Sequence, residues 1–490
     1  MAAAPAPISA LTATPTPGLA APTPAQTGAA NPFAGFWVRD ILLDAGALLT
    51  LFVALALPWN LSGGSVEDAS DHWWVVLSIL IACLGLVPPY LGAFRVPGIT
   101  PASSLLAKAL CTAPLVLSLV LAFLFELINL TNPLEGGIGT GVVAACFGFA
   151  LVVVPRRFDD LPTLHRAGAM LTTALYLGAA AVLAISFGGE LVRFLVNDAF
   201  GRGLPTWYVL AQIVVASLIF LVPRLTLAAG GAWSPKTWTP IAVAYVVAYL
   251  VVALAAGEPD VAFTSIETYD PPAFGSMTVE KFTHDFGWWS GTVPSAAGTF
   301  VLALAAGFAL GPWNRISGPQ SADPETAQAQ ARAQSAAWVR VAVTAALFGA
   351  ALMALSAVLN IGAASLGGIS QHFDIDVNGA WVAVMVLFLV AAGLAAVAAL
   401  TASRSRSSLR LPASVSVGWF LVGIVTSVVG TSAMIYFGRS PTALVNSEHE
   451  VFLLLVLPVL VLGALTLPRG VRRVHGPLLP AHLFADQGTA

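Results

Sequence analysis

From Ile41 to Leu467 the chain keeps returning to apolar runs of about 20 residues that carry almost no charge, the length an α-helix needs to cross a hydrocarbon core roughly 30 Å thick. Backbone groups in lipid have no water to bond, so such runs fold as helices, whose hydrogen bonds are internal. Composition agrees. With 58% hydrophobic and only 9% charged residues among 490, the chain lacks the polar surface to clothe a soluble fold.

The runs number about twelve and fall near 41–60, 73–92, 108–130, 138–154, 167–188, 205–222, 237–256, 294–312, 339–360, 380–400, 413–437 and 450–467. Alternating them across a bilayer leaves only Arg193, Arg202, Lys281 and Arg439 on one side and the other 17 of the 21 Lys and Arg on the opposite side. Basic residues accumulate on the cytoplasmic side, so both termini are expected there and the membrane is expected to be a bacterial inner membrane. The fold class is therefore an all-α integral membrane protein.

A repeat is visible in outline. Odd spans open after a basic residue and close at Asn or Gly, as from Arg39 to Asn60 or Lys108 to Asn129, while even spans end in an apolar-Pro-Arg stop, as at Val154-Pro155-Arg156 and Val222-Pro223-Arg224. Six helical hairpins fit this pattern, although membrane topology imposes part of it. Tryptophans such as Trp59, Trp73 and Trp233 are expected as interface anchors.

The chain divides into a Pro/Ala-rich cytoplasmic tail over 1–35, spans 1 to 8 over 36–313, a cytoplasmic linker over 314–337, spans 9 to 12 over 338–468 and a cytoplasmic tail over 469–490. The first tail has too few large apolar groups to offset its ordering entropy. The linker is expected to include a helical run leading into span 9 and to act as the hinge. The outer loop at 257–293 holds six acids and is the exported segment long enough to form a small cap.

Charge inside the spans is scarce, which makes Asp44 and Glu126 the candidate intramembrane ionisable residues. The competing reading of Asp44 is a solvated carboxylate near the positive end of its helix, within reach of cytoplasmic arginines. Outside the spans, His72, His284, His372 and His449 each stand beside acids in outer loops. Imidazole with carboxylate suits zinc or manganese and also titrates near neutral pH, provided the loops converge. No loop has the tight His-x-x-x-His spacing that would be specific, and acid-rich outer loops collect histidines without any site. Cys83, Cys111 and Cys146 all lie within apolar runs and read as packing residues.

Three function classes remain. Small-solute transport leads on the span count and the repeat, yet Phe94 to Lys108 lacks the Gly-x-x-x-Asp-Arg-x-Gly-Arg-Arg pattern of the major facilitator family. A non-catalytic envelope scaffold or sensor, with an envelope protein as partner, is the alternative. The third class rests on Glu67, Asp68 and Asp71, which resemble the acidic pair in the first outer loop of lipid-linked glycosyltransferases, although this loop is much shorter than theirs. No basic face points to nucleic acid, no cofactor is identified, and the balance leans away from an enzyme. From Trp37-Val38-Arg39-Asp40 to Pro58-Trp59-Asn60 the chain also resembles multi-pass actinobacterial membrane proteins grouped as a domain of unknown function. That resemblance implies the lipid bilayer as partner and no activity.

Overall fold

The computed structural model describes residues 38–59, 69–129, 139–193, 221–255, 266–269, 277–280, 299–316, 323–367 and 452–475, with scattered positions between 382 and 400. The first helix, α1 (Val38–Ala56), shows how a helix in lipid is patterned. Its buried side chains Asp40, Leu43, Asp44, Ala47, Thr50, Leu51 and Ala54 recur every three or four positions, so they form one stripe along the helix. The opposite face, including Leu42, Leu49 and Phe52, is exposed and wholly apolar. Polar groups point inward and apolar groups outward, the reverse of a soluble surface helix.

After α1 come α2 (Trp73–Leu84), α3 (Val87–Ala93), α4 (Pro101–Asn129), α5 (Thr140–Val153) and α6 (His165–Arg193). The segments α2 and α3 meet at Gly85-Leu86, and Pro114 sits inside α4 without ending it. Then follow α7 (Val222–Trp233), α8 (Pro235–Ala255), α9 (Thr299–Ala309), α10 (Pro324–Gly367), a π-helical turn at Phe452–Val456, α11 (Leu457–Thr466) and α12 (Arg469–His475). One antiparallel hairpin, β1 (Ile266–Tyr269) with β2 (Met277–Glu280), pairs Ile266 with Glu280 and Tyr269 with Met277 and falls within the acidic loop at 257–293.

Among the described residues, five stretches are long and apolar enough to cross a membrane: Trp73–Ala93, Pro101–Leu124, Pro162–Ile185, Pro235–Leu254 and Pro324–Leu355. The helix α1 matches them in length but carries Arg39, Asp40 and Asp44 in its first seven residues. Shorter apolar helices are α5, α9 and α11. Of the expected spans, 413–437 and all but the last two residues of 205–222 lie outside the described residues, as does part of 380–400.

Among the described helices, α5 is the one enclosed most completely. Its residues from Thr140 to Gly148 are all buried, as are Ala150, Leu151 and Val152, because α1, α4 and α9 pack around it. Small residues make this approach possible. A Cβ on Gly148 would meet Leu51 at 2.8 Å, and one on Gly307 would meet Ala150 at 2.8 Å. From α9 the packing continues through α6 and α7 to α8, which contacts α10 and α11.

Three expectations need correction. Trp59 is not an interface anchor: it is fully buried, donates from its indole N–H to the carbonyl of Ala54 at 2.8 Å, and fits against Gly139 and Gly141. Trp233, by contrast, is 92% exposed. Lys108 does not mark a helix start, since α4 begins seven residues earlier and leaves Lys108 buried inside the bundle. Val222-Pro223-Arg224 does not stop a helix but lies in the first turn of α7, a position that accommodates proline. The expected helical run before span 9 is present and continuous with it, as one helix of 44 residues.

Candidate functional site

The described charges concentrate at one end of the bundle, around the loop from Val154 to Asp160 that joins α5 to α6. Arg156 is its hub. Its Nε donates to Asp44 Oδ1 at 2.7 Å and its Nη2 lies 2.6 Å from the same oxygen, while the Tyr90 hydroxyl donates to Asp44 Oδ2. The remaining guanidinium donors reach the carbonyls of Leu151 at 2.9 Å and Val154 at 2.5 Å. Leu151 belongs to the last turn of α5, where carbonyls lack intrahelical partners and a cation is favoured. One arginine therefore neutralises the α1 carboxylate and caps α5.

A second buried pair lies beside it. Lys108 Nζ is 2.7 Å from Asp159 Oδ2 and donates to the Val154 carbonyl at 3.3 Å. Asp159 also accepts from the Ser104 hydroxyl at 3.2 Å and from the Arg156 backbone N–H at 2.5 Å. Both side chains are almost wholly buried. Taking such ions out of water costs several kcal/mol each, roughly recovered only where geometry is good and the other hydrogen bonds are made. Here they are made, which is why four elements, α1, α3, α4 and the loop, hold one arrangement.

A looser rim surrounds this core. Asp40 Oδ2 accepts from the Arg157 backbone N–H at 3.1 Å, and Asp40 Oδ1 lies 3.9 Å from Arg39 Nη1. Arg39 donates through Nη2 to the Leu310 carbonyl, tying α1 to the end of α9. Asp160 lies 2.6 Å from His165 Nε2 and 3.6 Å from Arg315 Nη2. Between α1, α3 and the loop, a cleft of 240 Å³ including its open mouth is lined by Asp40, Asp44, Pro89, Tyr90, Ala93, Arg156 and Phe158. Phe158 lies over Gly92, where a Cβ would be 2.1 Å from the ring.

Of the residues singled out in the sequence, Asp44 lies at the heart of this cluster. Glu126 is on α4 near its end, and its side chain lies outside the described residues. His72 immediately precedes α2 and packs its ring against Trp74 at 5.8 Å. His284, His372 and His449, like Glu67 and Asp68, lie outside the described residues. Among the described residues, no group of three His, Cys, Asp or Glu side chains is placed to hold a metal.

Sequence reasoning missed Tyr90, Lys108, Arg156 and Asp159. Two signals pointed to the last three, and none to Tyr90. Arg156-Arg157-Phe158-Asp159-Asp160 pairs two bases with two acids and so has no net charge, unlike a segment that merely fixes topology. Ser104, Lys108, Thr112 and Ser118 follow helical spacing along α4, and all four are buried, so Lys108 belongs to an inward polar stripe.

Taken together, these features define a helical protein with spans of membrane length and an ion-paired cluster closing one end of its bundle. The chain belongs to the family described as Domain of unknown function (DUF7937), which matches residues 40–474. No curated protein and no solved structure matches it.

Proposed function

We propose that this chain is a multi-pass protein of the cell membrane, with about twelve spans and its charge-clustered end in the cytoplasm, that serves as a non-catalytic envelope scaffold. The observation that carries this reading is the position of α5. Among the described residues α5 is packed between α1, α4 and α9 and buried from Thr140 to Gly148, which leaves no room along it for a solute. The candidate intramembrane carboxylate supports the same reading, because Asp44 is engaged at both oxygens by Arg156 and Tyr90. A carboxylate that carries protons or cations across a membrane needs a state in which it is released. The cytoplasmic assignment follows from basic residues collecting on that side: Arg39, Arg156, Arg157 and Arg315 all meet at this end.

The test is flux in proteoliposomes containing the full chain and an entrapped pH-sensitive dye. Under an imposed membrane potential, the scaffold reading expects the proton leak of protein-free vesicles, unchanged by Asp44→Asn. A leak, or a solute-driven pH change, that disappears in Asp44→Asn at equal folded protein would return the carrier to first place.

A further inference from the structure

At the charge-clustered end, Asp40, Asp44, Asp159 and Asp160 each lie against a base. The same end carries two further arginines, Arg95 and Arg157, that are exposed and flank α3. The Phe158 ring rests on Gly92, which places Arg157 beside the last turn of α3, and Arg95 follows just past the end of that helix. Asp40 accepts the Arg157 backbone N–H at 3.1 Å, so the chain is fixed at Arg157 while its side chain is exposed.

Arg95 stands where its backbone would favour another residue. Its φ of 59° is a left-handed conformation that costs free energy for any residue with a Cβ and none for glycine. A helix-ending position suited to glycine carries a guanidinium instead. The turn 94–100 joins two stretches of membrane length, Trp73–Ala93 and Pro101–Leu124, so Arg95 is at the level where hydrocarbon gives way to headgroups. Around it Leu91, Phe94 and Val96 are exposed and apolar, a surface for acyl chains rather than for water. Guanidinium groups at that level bind phosphate by paired, charge-assisted hydrogen bonds. We propose that Arg95 and Arg157 together hold the phosphate of an anionic phospholipid of the phosphatidylglycerol type, with its acyl chains along Leu91, Phe94 and Val96. A zwitterionic head brings its own ammonium to the phosphate and gains less from two arginines. The inference rests on the membrane location proposed above and is independent of the scaffold role.

The test is thermal unfolding of the purified full chain in phosphatidylcholine nanodiscs with and without phosphatidylglycerol. Ligands that bind only the native state raise Tm, and phosphatidylglycerol is expected to raise it by at least about 2 °C. Arg95→Gln keeps the left-handed backbone and removes only the guanidinium, while Arg157→Gln keeps the N–H that Asp40 accepts. Each is expected to remove most of the shift. Lys236→Gln takes one exposed charge from the start of α8, another span end, and is expected to leave the shift intact. Equal losses from all three variants would mean diffuse attraction of a basic surface and overturn the proposal. A shift reproduced by soluble glycerophosphate in phosphatidylcholine discs at the same ionic strength overturns the lipid as its source. Equal Tm with and without phosphatidylglycerol in an inserted chain overturns this proposal alone, whereas a chain that does not insert overturns the membrane location with it. The lipid comparison uses the unmodified chain, so its outcome stands even if a variant fails to fold.

Discussion

Arg156 and Asp44 are 112 positions apart, yet the guanidinium places two nitrogens within 2.7 Å of one carboxylate oxygen, with both side chains buried. Removing one member of such a pair strands the other as an uncompensated buried charge. Asp44→Ala is expected to cost about 3–5 kcal/mol, and Tyr90→Phe, which removes a single hydrogen bond to a charged group, about 1.5 kcal/mol. In mixed-micelle unfolding, Asp44→Asn with Arg156→Gln should cost less than the sum of the two single changes, because the neighbours are coupled. Strict additivity would show that the pair contributes nothing as a pair.

Two glycines separate close approach from mere smallness. At Gly139 a Cβ would lie 2.0 Å from the Pro58 carbonyl oxygen, a backbone atom that cannot swing aside, whereas at Gly178, inside α6, nothing lies within 4 Å. Gly139→Ala should therefore destabilise by about 1–3 kcal/mol and disturb the environment of Trp59. Gly178→Ala should stabilise by roughly 0.5–1 kcal/mol through helix propensity. Unfolding midpoints followed by tryptophan fluorescence would distinguish the two, and a stabilising Gly139→Ala would contradict the packing described.

The turn after α3 holds the one non-glycine residue of positive φ among the described residues, Arg95 at 59°. The Val96 N–H reaches back to the Leu91 carbonyl at 3.0 Å and the Arg95 N–H to that of Gly92 at 2.9 Å, a helix-ending arrangement that favours glycine at the left-handed position. Arg95→Gly should raise stability by about 0.5–1 kcal/mol. A loss of stability would mean that the arginine side chain does more than the backbone geometry shows.

At the start of α10, Asp323 accepts from the Thr326 N–H at 2.9 Å and from the Thr326 hydroxyl at 2.5 Å. These hydrogen bonds hold the exposed carboxyl below its ordinary value. A group depressed on folding contributes fully above the unfolded value and loses its contribution as pH falls through the folded one. Amide exchange at Thr326 and Ala327 should therefore stay slow through mildly acidic pH and quicken only well below the ordinary carboxylate range. Asp323→Ala should exchange fast at every pH, and identical exchange in the two proteins would rule out the cap.

Much of this was legible in the sequence, for reasons tied to particular residues. Trp73, Thr140 and Pro235 begin helices near the edges of their apolar runs, because lipid-length hydropathy is set by the solvent rather than by partners. The carboxylate at position 44 stood out because charge in a span is rare. The partner of Asp44 did not, since Arg156 is one of many basic residues at that end and only the crossing of α1 with α5 selects it. Trp59 escaped for the same reason: hydropathy places it at a helix end, while the slot made by Gly139 and Gly141 lies far along the chain. Helix existence is a one-dimensional property here, and pairing is a three-dimensional one.

The length of α10 has a mechanical consequence. At 1.5 Å per residue its 44 residues measure about 66 Å, roughly twice the apolar thickness of a bilayer. In a bilayer spanned by the apolar part of α10, its polar first turns, from Pro324 to Ala337, would project beyond the lipid as a rigid mast continuous with that part. Gly470 of α12 lies against this mast, close to Ala331 and Gln334. A pull on α12 would reach the interior of the bundle along one unbroken shaft, at a fixed height and without a joint to absorb it.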